Sequence, residues 1–325
     1  MRFDPTVFAS AIPTPLFWGL AGVLGLLTVG GAAALTLPLL RPHGDHVNLR
    51  QRVTSWWVMA ALLAAGLLAG WRVTLALFAF ISFLALREFL SLAPLRREDR
   101  PVILLAYLTI LGGYGLLALN RYGIYLVFIP VYVFLITPFL MACIGQTRAY
   151  LPTAAVIQWG LVTCVFNLGF AAYLARTPLT QAPQAGGAGL VFFLLLATEA
   201  NDVAQYVWGK SIGRHKIMPR VSPNKTWEGF LGGWATTAVL IWWLGPQFLP
   251  LRGLGLWIMA AALPLAGFAG DVTMSAIKRD IGVKDTSRLI PGHGGVLDRA
   301  DSLTFTAPVY FHILVFFCFH AAQWP

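Results

Sequence analysis

Residues 271–302, DVTMSAIKRDIGVKDTSRLIPGHGGVLDRADS, bring five Asp and five Lys or Arg together around a Gly-His-Gly-Gly turn, in a chain of which only 11% is charged. Carboxylate oxygens are the natural ligands of hard ions such as Mg²⁺, which keep several waters and share polyphosphates with a protein. Cations and glycine-exposed backbone N–H groups favour phosphate. The stretch therefore suits a divalent metal and a polyphosphate. Asp271, Ser275 and Lys278 stand at i, i+4 and i+7, one face of a helix. Asp271 alone would serve equally as a proton relay or a partner for Lys278; with the acidic and basic residues that follow, it reads better as one arm of a metal site. Asp298 and Asp301, at i and i+3, reach the same ion if a helix begins near 297, and a helix cap built with Ser302 and Thr304 is the other reading. Within Pro291–Gly295, His293 is open between metal ligand, phosphate donor and turn residue.

A second polar stretch, GKSIGRHKIMPRVSPNKTWEGFLGG at 209–233, carries five cations and leads into a helix start at Trp227-Glu228-Gly229. Gly209-Lys210-Ser211 mimics the tail of a P-loop, but Ala204 stands where a glycine is needed and no strand precedes it, so that match fails. Helix N-termini favour phosphate and Lys225 supplies charge there; an ordinary basic loop is the plainer reading. Upstream, Glu199, Asp202 and Tyr206 follow i, i+3, i+7 in an otherwise apolar run, which predicts one helical stripe. Ionisable groups within such a run face a bundle interior or a wet cavity, or pair with a buried cation.

These residues must be positioned by apolar elements, because 58% of the 325 residues are hydrophobic. Ten runs are long enough to cross a bilayer, near 16–40, 54–71, 73–91, 101–119, 122–144, 151–175, 188–209, 226–246, 253–279 and 303–323. The expected fold is an all-α polytopic membrane bundle of about ten transmembrane helices with its site in the C-terminal half. Only Trp71-Arg72 separates the second run from the third, so the pair is a tight hairpin or one broken span. Loops after the odd-numbered runs, with the turns preceding them, hold 18 of the 23 Lys and Arg. That asymmetry places them, with 210–225 and 278–302, on the cytoplasmic face and both termini outside. A net charge of +10 distributed in this way points to anionic lipid or nucleotide as the partner, not nucleic acid. The run RREDR at 96–100 reads as a solvated loop. Cys143, Cys164 and Cys318 fall in apolar runs and read as small hydrophobes. The first eleven residues lack the basic region of a cleaved signal peptide. A Pro/Gly/Ala-rich stretch at 177–189 divides an N-terminal bundle, 1–187, from a C-terminal catalytic region, 188–325.

Ser275, Lys278-Arg279, Lys284-Asp285, Ser287, Ile290-Pro291, His293-Gly294-Gly295, Asp298-Arg299 and Asp301 resemble in type and spacing the signature of the phosphatidate cytidylyltransferases, or CDP-diacylglycerol synthases. Val221-Ser222-Pro223, Lys225-Thr226 and Glu228-Gly229 are similar to the same family; Arg87-Glu88-Phe89 sits in a fitting place in the first half. The resemblance implies CTP and phosphatidate as substrates, CDP-diacylglycerol and pyrophosphate as products, Mg²⁺ as cofactor and a homodimer in a bacterial cytoplasmic membrane. It implies Asp271 and Asp298 as the metal-binding pair with Asp301 beside them, and Lys278 and Arg279 as catalytic cations. Asp202, Ser222, Lys225, Lys284, Asp285, His293, Gly294, Gly295 and Arg299 fall on its substrate-binding positions. Where the family has Asp-Ser/Thr-Gly-Ala-Tyr, this chain has Asp202-Val203-Ala204-Gln205-Tyr206, and Ala300 replaces a larger residue. These departures suit a divergent branch or paralogue and leave the acceptor lipid open. Two rival classes are a CTP-using polyprenol or lipid kinase, which would release CDP, and a lipid transporter with no need of nucleotide. A CDP-alcohol phosphotransferase is disfavoured, because its spaced acidic motif is missing.

Overall fold

The computed structural model describes residues 12–40, 46–178 and 180–318. In chain order its long helices are α1 (Thr14–Leu40), α2 (His46–Leu68), α3 (Trp71–Leu92), α4 (Arg100–Ala118), α5 (Tyr122–Cys143) and α6 (Tyr150–Leu174). After these come α7 (Gly186–Ile212), α8 (Trp227–Phe248) and α9 (Gly253–Asp280), a one-turn α10 (Leu297–Ala300), and α11 (Leu303–Cys318). Each expected run thus has a helix over most of its length; for the last run, residues 319–323 lie outside the described residues, as does the N-terminal segment read for a signal peptide. Among the described residues, eight helical segments are long and apolar enough to cross a membrane. The exceptions are α2 and α8, with 23 and 22 residues, whose polar residues bring them below that mark, so a count of ten spans is not reached.

The second and third runs form a hairpin of two helices. Gly70 turns the chain at φ 99°, a conformation that favours glycine, and the Thr74 hydroxyl donates to the Gly66 carbonyl at 2.9 Å. Two regions depart from expectation. At 96–100 the chain is not merely solvated: Asp99 is fully buried and accepts from the Arg96 backbone N–H at 2.7 Å, closing a capping box before α4. Between α7 and α8 the basic loop is an antiparallel hairpin, β1 (Lys216–Met218) and β2 (Ser222–Thr226), in which Lys216 pairs with Thr226. Short strands carrying Pro223 and the two cations Lys216 and Lys225 gave no apolar alternation from which to expect them.

One buried cluster runs through the molecule and draws on residues from both sides of 177–189, among them Tyr125, Phe170 and Tyr310. In lipid there is little hydrophobic drive between helices, so close backbone approach and buried hydrogen bonds hold a bundle. The tightest approach is α7 against α8, where Gly229 and Gly233, four residues apart, admit Gln205 and Gly209. A Cβ at Gly233 would overlap the Gln205 side chain and stand 2.8 Å from its backbone nitrogen. Asn201 ties the same helices together, donating to the Pro264 carbonyl of α9 at 3.2 Å and accepting from Thr237 of α8 at 3.4 Å.

Gly233→Ala should therefore destabilise the protein by about 1–3 kcal/mol, the usual cost of overpacking, read as a lower Tm in detergent. Gly22→Ala, where an added Cβ meets nothing within 4 Å, should leave the Tm unchanged or slightly raised.

Candidate functional site

The polar residues gather where helix ends meet on one face of the bundle. The C-terminal turns of α3, α7 and α9 arrive there, and α8 and α11 start there. Cross-links join the loops that follow odd-numbered helices: Gln146 donates to the Glu98 carbonyl at 2.7 Å, and the Arg279 guanidinium lies 3.4 Å from the Val221 carbonyl. The N-terminal part of α2 reaches the same face, its Ser55 hydroxyl donating to the Pro291 carbonyl at 2.8 Å. Shared placement of these loops matches the charge asymmetry of the sequence.

The glycine-rich turn is organised around two buried carboxylates. Asp298, 5% exposed, accepts through Oδ2 from the backbone N–H of Thr286 (2.7 Å), the Thr286 hydroxyl (3.0 Å) and the Gly295 N–H (2.9 Å), and through Oδ1 from Lys278 Nζ (2.8 Å). Glu88, 7% exposed on α3, accepts from Thr286 Oγ1 (3.0 Å), Ser287 Oγ (2.7 Å) and the N–H groups of Val296 (3.0 Å) and Leu297 (2.9 Å). Gly292 and Gly294 turn the chain at φ 75° and 83°, and the Gly294 carbonyl accepts from the Ile290 N–H at 2.8 Å. A Cβ at Gly295 would overlap the Glu88 carboxylate and the Thr286 hydroxyl. The Gly295 N–H, in the turn expected to face a phosphate, is thus taken by Asp298, and the N–H groups of Val296 and Leu297 that follow it are taken by Glu88. His293 lies edge-on to Trp56 with ring centroids 5.8 Å apart. Burial, with the charges of Arg299 and Arg52, lowers its pKa below the ordinary value, so the imidazole is neutral at neutral pH.

Beside this knot lies a second cluster. Asp271 on α9 pairs with Lys225 of β2 at 2.5 Å and accepts from Ser275 at 3.3 Å. The carboxylates of Asp202, Asp271 and Asp301 lie close enough to act on one another electrostatically. Lys278 stands between Asp298, at 2.8 Å, and Asp301, at 4.0 Å. Asp298 and Asp301 thus meet at one ammonium, Asp298 taking its other donors from the loop and Asp301 accepting from the Ser302 N–H at 2.8 Å. On α7, Asp202 and Tyr206 of the expected stripe line one cavity, Tyr206 at its open side with 65% exposure, and the buried positions next to them are Asn201 and Gln205, at 1% and 5%. Gln205 accepts from Lys225 Nζ at 3.1 Å. Thr226 caps α8, its hydroxyl accepting from the Gly229 N–H at 3.1 Å.

Two cavities adjoin at Ser222 and Asn224. One, of about 510 Å³, is walled by Asp202, Gln205, Tyr206, Lys225, Asp271 and the start of α8. The other, of about 400 Å³, is walled by Ser275, Lys278, Arg279, Lys284 and Asp285. Val203, Tyr206 and Val207 are exposed on the flank of α7 beside the first cavity. Arg299 is exposed and lines neither cavity.

The donor set suits a hard cation in kind: Asp202 Oδ1 is buried without a hydrogen-bond partner, and Asp271 and Asp301 add carboxylate oxygens nearby. Among the described residues no three acidic, His or Cys side chains are drawn close enough together to hold one, since lysine ammoniums fill the space between carboxylates. Asp298, an expected ligand, has both oxygens engaged by donors. Sequence reasoning missed Glu88 as a member of the site. A lone acidic residue in an apolar run was its available signal.

The sequence pattern of the cytidylyltransferase family matches residues 50–317. The chain is 44% identical over 276 residues to the uncharacterized protein YnbB of Escherichia coli K12, covering 85% of this chain and 90% of that protein. It is 43% identical over 133 residues to the phosphatidate cytidylyltransferase of Mycobacterium leprae and 40% identical over 133 residues to that of Bacillus subtilis. Those two alignments span 39% and 40% of this chain, and 41% and 49% of the two enzymes.

Replacing Glu88 with Gln leaves one oxygen for its four donors, of which only Thr286 Oγ1 has another acceptor at hand, Asp298 Oδ2 at 3.0 Å. One or two donors therefore lose their partner, at an expected cost of about 1–3 kcal/mol each. Hydrogen exchange should accelerate at the Val296 and Leu297 amides while the middle of α7 keeps its protection.

Proposed function

The chain belongs to the cytidylyltransferase family, and from that premise we propose that it transfers a cytidylyl group from CTP to the phosphate of a membrane lipid, with phosphatidate as acceptor and CDP-diacylglycerol and pyrophosphate as products. The observation that carries this reading is the pair of adjoining cavities, each with its own cations, meeting at Ser222 and Asn224 beside Asp271 and Lys278. A transfer between a soluble and a membrane substrate needs two such compartments with a common wall.

The smaller cavity takes the CTP triphosphate, which Lys278, Arg279 and Lys284 neutralise. Its larger neighbour takes the lipid phosphate on Lys225, with Lys210 and Lys216 nearer its rim, while the acyl chains stay along the apolar flank at Val203 and Tyr206. An oxygen of the lipid phosphate attacks the α-phosphorus; the bond to the β-phosphate bridging oxygen breaks and pyrophosphate leaves. A phosphate monoester is already anionic at neutral pH, so no dedicated base is required. Positioning and neutralisation of developing charge supply most of the acceleration. Asp202, Asp271 and Asp301 would hold Mg²⁺ once Lys225 and Lys278 turn from Asp271 and Asp301 to phosphate, and the ion would then supply positive charge to the polyphosphate. Asp298 acts through Lys278, whose ammonium it aims at the smaller cavity. Because the loops on this face hold most of the cations, the site faces the cytoplasm.

Purified protein with labelled CTP, Mg²⁺ and a panel of phospholipids should release pyrophosphate and form a CDP-lipid, and chelation of Mg²⁺ should stop the reaction. Asp271→Asn should lower turnover by at least about 100-fold with an unchanged Tm. Retained turnover in that variant would sink the assignment, and release of CDP would turn it into phosphoryl transfer.

A further inference from the structure

We propose that Gln205 is an acceptor-selecting residue, its side-chain Nε2 donating a hydrogen bond to an oxygen of the lipid phosphate in the larger cavity. The inference rests on the two-cavity reading above. Gln205 lies on the inward face of α7, 5% exposed, and forms part of that cavity's wall with Lys225 and Asp271. Its backbone and Cγ are pressed against Gly229 and Gly233 of α8, which holds the side chain in place.

An amide can face either way, but here a neighbour decides. Lys225 Nζ stands 3.1 Å from Oε1, and an ammonium only donates, so the oxygen must turn to Lys225 and the NH₂ group away from it. That NH₂ group is buried and has no hydrogen-bond partner. Buried polar groups are nearly always satisfied, and an exception needs a reason. A ligand oxygen beside the Lys225 ammonium is the simplest one. The ligand must be an acceptor, because the orphan is a donor. An anion is favoured, because Lys210, Lys216 and Lys225 outnumber Asp202 and Asp271 in the lining of the same space. The other orphan on this side of α7, Asp202 Oδ1, is an acceptor and suits a cation instead. Position 205 therefore adds to the lipid side of the site a neutral donor that an alanine there would lack.

The test uses full-length protein in detergent micelles with short-chain phosphatidate as the probe. Equilibrium binding is measured without nucleotide, and KM is measured for lipid and for CTP. Gln205→Met fills the same space without a donor. It should weaken lipid binding and raise the lipid KM by about ten-fold, the value of one hydrogen bond to a charged group. The CTP KM should stay within about two-fold, as expected where only the acceptor side is touched. Gln205→Glu keeps an oxygen for Lys225 but replaces the donor with a second anionic oxygen, and should weaken lipid binding further. Unchanged lipid binding in both variants, or a CTP KM that rises in step with the lipid KM, overturns the inference. Should wild-type protein bind the lipid phosphate yet form no CDP-lipid, the transfer reading falls, while the binding comparison still decides the role of Gln205.

Discussion

A carboxylate buried in a bundle of apolar helices survives only if donors surround it, and Glu88 has four of them, all from the 286–297 segment. This contact joins α3 to a loop about two hundred residues later, and much of the site follows from it. With Glu88 holding Thr286, Ser287, Val296 and Leu297, the segment closes into a turn whose remaining donors fall to Asp298. Asp298 in turn receives Lys278, so the end of α9 is referred to the same knot. The glycines are needed because two carboxylates and their donors occupy the space where side chains would stand. A turn that reads as a phosphate cradle is, in this arrangement, a device for fixing cations near one.

The charges at the centre of the site are unbalanced in a useful way. Asp202, Asp271 and Asp301 act on one another across a region where Lys225 and Lys278 are the cations in contact with them. Like charges so close in a medium of low dielectric are costly. Lysine ammoniums are mobile point charges on long stems. They can neutralise the carboxylates in one state and meet phosphate in another, whereas the carboxylates are fixed to helix ends. That difference in stiffness is what the proposed Mg²⁺ and polyphosphate would draw on.

Helix packing sets the spacing of the two cavities. Gly229 and Gly233 bring α8 onto α7 at Gln205 and Gly209, so the α8 N-terminus, Lys225 and the α7 carboxylate share one wall. Had larger residues separated the helices, Lys225 would lie farther from Asp271 and Gln205. The apolar outer flank of α7 at Val203 and Tyr206 then lies within one helix width of that wall.

Much was legible in the residues alone. Apolar runs located the helices because spanning a bilayer demands about 20 such residues. Loop cations located a common face because their distribution follows membrane insertion. The chemical residues of 271–302 and 222–228 were evident from type and spacing, and the matched family bears out the resemblance they carried. Other features needed the fold. Glu88 is one acidic residue in a run of apolar ones, and only the crossing of α3 over the late loop gives it partners. Periodicity placed Tyr206 with Asp202, but a helical stripe is about 100° wide, and the approach of α8 decided that Gln205 faces inward. Asp298 and Asp301 were read as a pair on one helix, and the fold adds that what stands between them is Lys278. Local spacing thus determined which groups the site has, because backbone geometry is local. Which of them touch was decided by the tertiary structure, because a buried charge takes its partners from whatever the packing brings near.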